Sequence, residues 1–270
     1  MELILLSGGS QVVPALVSGS VQLLIATDTG VTIAILQGMD LVRLGVTTNS
    51  LPSSLLTLPG IQSVQDLKGK VLGVSRGRDA SYVRLAKLLR DHGIDPSNEV
   101  KFLPIGEGQS GRLAALKAKV VHGTALSPPM DFVASKEGFK MLAKLDMPIT
   151  GGTISTTVTF LRQNRDLLIN FLKGYIEGIH YMLGHKDESL KVFSKYLRNP
   201  DVATLDHFYD EITHRVERGL RPNPESVRSM INLIAMDDPK AKRLTERDYW
   251  DLSLIEQIQQ SGFVEQLYKE

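Results

Sequence analysis

Over its first two thirds the chain alternates short apolar runs with stretches of helical periodicity, and that alternation limits the fold more than any other feature. Leu3–Leu6, Gln22–Ala26, Leu41–Thr47, Lys70–Val74, Val100–Leu103 and Val121–Leu126 read as strands. Gln11–Val17, Val31–Gln37, Ala80–His92 and Gly111–Lys117 read as the helices between them. Strands that alternate with helices build βαβ units, in which a sheet is covered by helices on both faces. From Arg165 to Leu197 the pattern becomes helical. Leu168, Phe171, Leu172, Tyr175, Ile176, Ile179 and Met182 recur at the three-and-four spacing of one buried face. Further helices are expected at Val202–Val216, Pro224–Ala235 and Leu252–Gln260.

A length of 270 residues allows two modest domains with real cores. Two polar, turn-rich stretches interrupt the alternation: Asn49-Ser50-Leu51-Pro52-Ser53-Ser54 and Thr150-Gly151-Gly152-Thr153. The block between them carries its own strands and helices. The expected organisation is therefore a discontinuous lobe I, residues 1–54 and 152–270, with lobe II inserted at 55–151. The expected fold class is α/β, with two mostly parallel sheets flanked by helices and a helical C-terminal region.

A weak repeat runs through both lobes at a spacing of 100 residues. Ser10–Thr27 reads SQVVPALVSGSVQLLIAT and Ser110–Ser127 reads SGRLAALKAKVVHGTALS. The offset aligns Ser10 with Ser110, Ala15 with Ala115, Leu16 with Leu116, Val21 with Val121 and Thr27 with Ser127. Each copy follows a glycine-rich turn and reads as capped helix, strand, then a hydroxyl residue in a turn. Ser10 and Ser110 are expected N-caps, and a helix start leaves backbone N–H groups that favour an anion or polar acceptor. At the strand ends, Thr27-Asp28-Thr29-Gly30 and Ser127-Pro128-Pro129 offer hydroxyls and turn backbone. In open parallel sheets the ligand crevice lies off the carboxyl ends of the strands. Two such half-sites on facing lobes would make one cleft. Serine also caps many helices that bind nothing, so the repeat alone leaves both readings open.

Composition removes several alternatives. The chain has no cysteine, which excludes a disulfide scaffold, a thiolate nucleophile and cysteine-ligated zinc or iron–sulfur clusters. A net charge of +1, from 31 basic and 30 acidic residues, argues against a nucleic-acid surface. No apolar run is long enough to span a bilayer. His92, His122, His180, His185, His207 and His214 are dispersed. No HExxH, GxSxG, Walker or GxGxxG motif is present.

Several stretches match a known family in order along the chain. They are Ala15–Gln22, Ile61–Val74 with its Asp66-Leu67-Lys68-Gly69-Lys70 core, Gly93-Ile94-Asp95-Pro96, Leu126-Ser127-Pro128-Pro129 and Ser261-Gly262-Phe263-Val264. The sequence resembles the type II periplasmic solute-binding proteins of ABC importers, in the nitrate/sulfonate/taurine branch that includes thiamine-pyrimidine-precursor proteins. The resemblance implies a two-lobed, non-catalytic, monomeric receptor that works outside the cytoplasm, free or membrane-anchored. It would close on a small polar or anionic organic solute about hinges near Thr48–Ser54 and Gly151–Ser155, and then dock on a membrane permease. No cofactor, metal or nucleic acid is implied. Relatives carry a further strand and helix ahead of Glu2, with a ligand loop in it.

By the same resemblance, ligand contacts come from Ser10, Thr27, Asp28 and Thr29 on lobe I. On lobe II they come from Ser75, Arg76, Gly77, Ala80, Ser81, Gln109, Ser110 and Ser127. Arg76 or Arg78 would pair with a carboxylate or sulfonate, or stay solvated. Asp28 would either cap the helix after it or meet an N–H of the ligand. Two alternatives remain beside the importer: a ligand-sensing module of a regulatory system, and an enzyme like those of thiamine-pyrimidine synthesis. The latter needs a cysteine-containing motif this chain lacks.

Overall fold

A computed structural model describes residues 2–4, 9–26, 28–75, 80–106, 108–236, 238–245 and 250–269, without the side chains of 9–11 and 28. The chain divides into two compact units. The first comprises Met1–Ser50, Pro148–Ser189 and Thr213–Glu270; the second comprises Leu51–Met147 and Leu190–Ile212.

The first unit holds β1 (Leu24–Ala26), β2 (Leu41–Thr48) and β8 (Gly151–Thr157) in the order β1-β8-β2, with both pairings antiparallel. β8 lies between the other two, and Thr153, Ile154, Ser155 and Thr156 are all buried. Two of its hydroxyls act along the sheet. Thr153 Oγ1 donates to the Ala26 carbonyl at 3.3 Å, and Thr156 Oγ1 donates to the Gln22 carbonyl at 2.7 Å. Around the sheet lie α1 (Gly9–Val17), α2 (Asp28–Leu36), α6 (Val158–Gln163), α7 (Arg165–Gly184), α10 (Pro224–Ala235), α11 (Ser253–Gln260) and α12 (Phe263–Leu267). α7 buries Leu168, Leu172, Ile176 and Ile179, one helical stripe, in a core with Leu44, Ile154, Leu254 and Ile258. The ends of α6 and α10 are set by side chains. Thr157 accepts the Phe160 N–H at 3.1 Å, and Asn223 accepts the Glu225 N–H at 2.7 Å with Pro224 in the first turn.

The second unit holds β3 (Ser54–Thr57), β4 (Val71–Val74), β5 (Lys101–Pro104), β6 (Gly123–Leu126) and β7 (Lys140–Lys144), ordered β5-β4-β6-β3-β7. α3 (Ala80–Asp91), α4 (Gly108–Lys117) and α5 (Met130–Lys136) connect its strands. α8 (Lys186–Leu197) and α9 (Val202–Thr213) follow later in the chain. Leu55, Leu67, Leu72, Leu85, Leu89 and Ile94 fill one core cluster, and Leu56, Leu113, Leu116, Val121 and Leu126 another. Residues 190–212, placed with lobe I in the sequence-based division, are tied to this unit. His207 stacks on Phe132 at 4.6 Å, and Lys136 pairs with Asp201 at 2.8 Å.

Two sheets flanked by helices are present; among the described strands the parallel pairs are β4–β5 and β4–β6, with an isolated parallel bridge between Arg43 and Trp250. β3 and β8 run antiparallel to their neighbours. Both begin in the polar stretches expected to be breakers: Ser54 opens β3, and Gly151-Gly152-Thr153 opens β8. The proposed hinge residues Gly151–Ser155 therefore lie within a buried strand. The expected strand at Leu3–Leu6 lies partly outside the described residues; residues 2–4 belong to no strand.

Candidate functional site

The candidate site is at the carboxyl ends of β4 and β6 in the second unit. These strands are parallel neighbours, so Ser75 after β4 and Ser127 after β6 emerge on the same side of the sheet. The first turns of α3 and α4 meet them there. The Ser75 N–H donates to Ser81 Oγ at 3.0 Å, which joins the end of β4 to the start of α3. The Ser127 N–H donates to Gln109 Oε1 at 2.6 Å, which joins the end of β6 to the start of α4.

Arg112 ties the two halves together. It is buried, donates to Ser75 Oγ through Nη1, and donates to the Ala125 carbonyl through Nε at 3.3 Å and Nη2 at 3.2 Å. Gln109 and Arg112 are three residues apart on α4 and so share one face. One helix face thus holds both strand ends. Beneath the Ser127 turn, Asp131 is fully buried and accepts from the Phe132 N–H at 2.8 Å and Ser54 Oγ at 3.1 Å, with His207 Nε2 at 3.8 Å. Burial pushes the Asp131 carboxyl above the usual carboxylate range, against the lowering effect of those partners.

Of the residues singled out in the sequence, Ser75, Ser81, Gln109 and Ser127 are joined in this network. Ala80 begins α3 beside it. Ser110 is exposed and inside α4, which begins two residues earlier at Gly108, so it is not the N-cap. α1 likewise begins at Gly9, one residue ahead of Ser10. In the second copy a glycine in the left-handed region (Gly108, φ +68°) opens the helix instead of a serine cap. Thr29 lies in the first turn of α2, its Oγ1 at 4.0 Å from Met230 Sδ. Asp28 begins α2, but its side chain, like that of Ser10, is outside the described residues, as are Thr27, Arg76, Gly77 and Arg78 entirely. Arg112 was not anticipated. Its sequence signal is a position four residues before the buried Leu116, on the inward face of an amphipathic helix.

The hundred-residue repeat has a backbone counterpart. α1, β1 and α2 follow one another in the first unit as α4, β6 and α5 do in the second. The Ser18 N–H bonds to the Pro14 carbonyl at 2.9 Å and the Ala118 N–H to the Ala114 carbonyl at 2.9 Å. The Gly19 N–H bonds to Leu16 at 3.1 Å, and the Lys119 N–H to Leu116 at 3.0 Å. The Val21 and Val121 N–H groups bond to the carbonyls of Ala15 and Ala115 at 3.1 and 3.4 Å.

Among the described residues no group of three or more histidine, aspartate or glutamate side chains is placed to hold a metal ion. None of their helices is long and apolar enough to cross a membrane.

Two α/β units of this construction define a class, the periplasmic-binding-protein fold. The ligand-binding component of an ABC-type import system from Staphylococcus aureus superposes with a TM-score of 0.73 at 14% identity, covering 94% of this chain and 87% of its own. The periplasmic aliphatic sulphonate binding protein SsuA from Escherichia coli gives 0.69 at 20% identity, covering 86% and 79%. Within that class, residues 1–189 match the family described as NMT1/THI5 like, and the chain belongs to this family. A Brachyspira hyodysenteriae protein named as an ABC transporter periplasmic binding protein is 26% identical over 175 residues, 60% of this chain and 49% of that protein. The matched region thus spans about half the length of that curated relative.

Proposed function

We propose that this chain is the extracytoplasmic solute receptor of an ABC importer, and that it carries a small polar or anionic organic solute to a membrane permease. The observation that carries the proposal is the hydrogen-bonded convergence of Ser75, Ser81, Gln109, Arg112 and Ser127 on the carboxyl ends of β4 and β6. Such a position presents helix-start amides and side-chain donors to a ligand on a rigid frame. Family membership and a relative named as a transporter binding protein support the same assignment. The aliphatic sulphonate bound by the Escherichia coli neighbour makes sulfonates the first compounds to try. Thr29, Asp28, Thr27 and Ser10 are the proposed contacts of the first unit. Arg76, Gly77 and Ala80 complete those of the second.

In this proposal, binding energy shifts an open–closed equilibrium and lowers no chemical barrier. The chain would act as a monomer. The test is a thermal-shift and calorimetric screen of sulfonates, carboxylates, nitrate and pyrimidines. A ligand that binds only the native state raises the melting temperature in proportion to occupancy. Small-angle scattering with and without the hit should show a decrease in radius of gyration. Absence of any stabilising solute, or turnover of the solute that binds, would overturn the assignment.

A further inference from the structure

The hydrogen bonds among the described residues at the strand ends leave donors of Gln109 and Ser75 unengaged. A glutamine amide has one acceptor oxygen and two N–H donors. Gln109 spends its oxygen on the Ser127 N–H at 2.6 Å, which also fixes the orientation of the amide. Its Nε2 donors make no hydrogen bond to any described residue. Ser75 accepts from Arg112 on its hydroxyl oxygen, and its backbone N–H is already given to Ser81. Among the described residues, the capacity left on the Ser75 side chain is its own O–H and one lone pair. Arg112 can only donate.

We propose that Gln109 is a specificity-determining residue of this site, offering amide N–H groups to a ligand bearing an acceptor-only head, a carboxylate or sulfonate. Arg112 is a positioning residue that turns the Ser75 hydroxyl outward as a second donor. The inference rests on the strand ends being the ligand site. Two donors, on the first turn of α4 and at the end of β4, match a head with two or more oxygens. A neutral amide or sulfonamide head has fewer acceptor oxygens and no charge, so it would accept from these donors more weakly and bind less tightly.

The experiment is calorimetry with four probes: ethanesulfonate, propanoate, and their neutral isosteres ethanesulfonamide and propanamide. The wild-type chain should bind at least one anion about tenfold or more tighter than its isostere. Gln109→Glu keeps the oxygen that accepts from Ser127 but replaces both donors with a charged acceptor. It should lose that anion by at least about tenfold while keeping the wild-type melting temperature. Arg112→Lys should retain part of the preference that Arg112→Met loses. Independently of any variant, the Gln109 side-chain amide resonances should shift when the anion is added. Equal anion binding by wild type and Gln109→Glu, or a preference for the neutral isosteres, overturns the role of Gln109 and leaves the receptor assignment standing. Binding of none of the four also overturns it; a different solute that perturbs Ser75 and Ser127 would then keep the receptor assignment. Failure of every solute overturns both.

Discussion

Lys119 takes the left-handed backbone conformation, φ +57°, that Gly19 takes at φ +75° one hundred residues earlier. Both close a helix with an N–H bond to a leucine carbonyl, Leu116 for one and Leu16 for the other. Glycine adopts this conformation freely, whereas a β-carbon there costs about 1 kcal/mol. Lys119→Gly should therefore stabilise the second unit by about 0.5–1 kcal/mol. Gly19→Ala should destabilise the first by a similar amount, from backbone strain alone, since nothing lies within 4 Å of a β-carbon built there. Urea denaturation of the two variants measures both.

How far the fold shows in the sequence follows from how local its signals are. α10 has the expected bounds, Pro224–Ala235, because an Asn cap and a Pro in the first turn mark its start on the chain itself. The helical rhythm of Arg165–Leu197 shows no break at His185, yet the structure ends α7 at Gly184 and starts α8 at Lys186. β3 carries no strand signal in the sequence because all four residues are buried, which erases the alternation that identifies a half-exposed strand. β8 is hidden in the sequence because Gly151-Gly152 signals a turn, and pairing with β1 and β2, far away in sequence, extends it. Ser75, Ser81, Gln109 and Ser127, which the family resemblance singles out, are joined by hydrogen bonds through Arg112 and one another, whereas Ser110 lies inside α4 instead of capping it. Arg112 is not among the residues legible in the sequence: an arginine on a helix reads as solvated, and its burial depends on the Ala125 carbonyl and the Ser75 hydroxyl, both from other elements.

The Ser81 hydroxyl is the acceptor of the Ser75 N–H, and Ser81 is buried. Ser81→Ala should leave that N–H without its partner and cost about 1–2 kcal/mol. It should also loosen the attachment of Ser75 to the first turn of α3. Thermal unfolding measures the first effect. Faster amide exchange at Ser75 measures the second, while exchange within β5 should stay unchanged.

Gly152 has φ +60°, and a β-carbon on it would collide with Thr47 Oγ1, whose hydroxyl donates to the Gly151 carbonyl at 3.3 Å. Gly152→Ala should cost more than about 2 kcal/mol, since backbone strain and steric overlap add. Adding Thr47→Ala removes the overlapping oxygen and leaves the φ penalty. The double variant should therefore recover part of the loss, a non-additivity that a double-mutant cycle reads directly.

Two aspartates of the second unit should act on stability in opposite pH directions. Asp131 has a raised carboxyl from burial, so its contribution is full below about pH 4, the unfolded value, and is lost as pH rises through the higher native value. Asp201 is held down to about 2 by Lys136 and Thr204, so its contribution is present above about pH 4 and is lost as pH falls toward 2. Asp131→Asn should remove the decline of stability that this carboxyl causes as pH rises above about 4. Asp201→Asn should melt below wild type near pH 6 and match it near pH 2. Melting curves from pH 2 to 8 compare the three proteins.

The most direct measurement of ligand capture at the carboxyl ends of β4 and β6 is a ¹⁵N–¹H correlation spectrum taken across a titration with the solute that best stabilises the chain. Saturating, ligand-dependent shifts of the Ser75, Ser81, Gln109 and Ser127 backbone amides, with the amino ends Val71 and Gly123 unmoved, are the predicted result. Shifts confined to other parts of the chain, with these four amides silent at saturation, would contradict it.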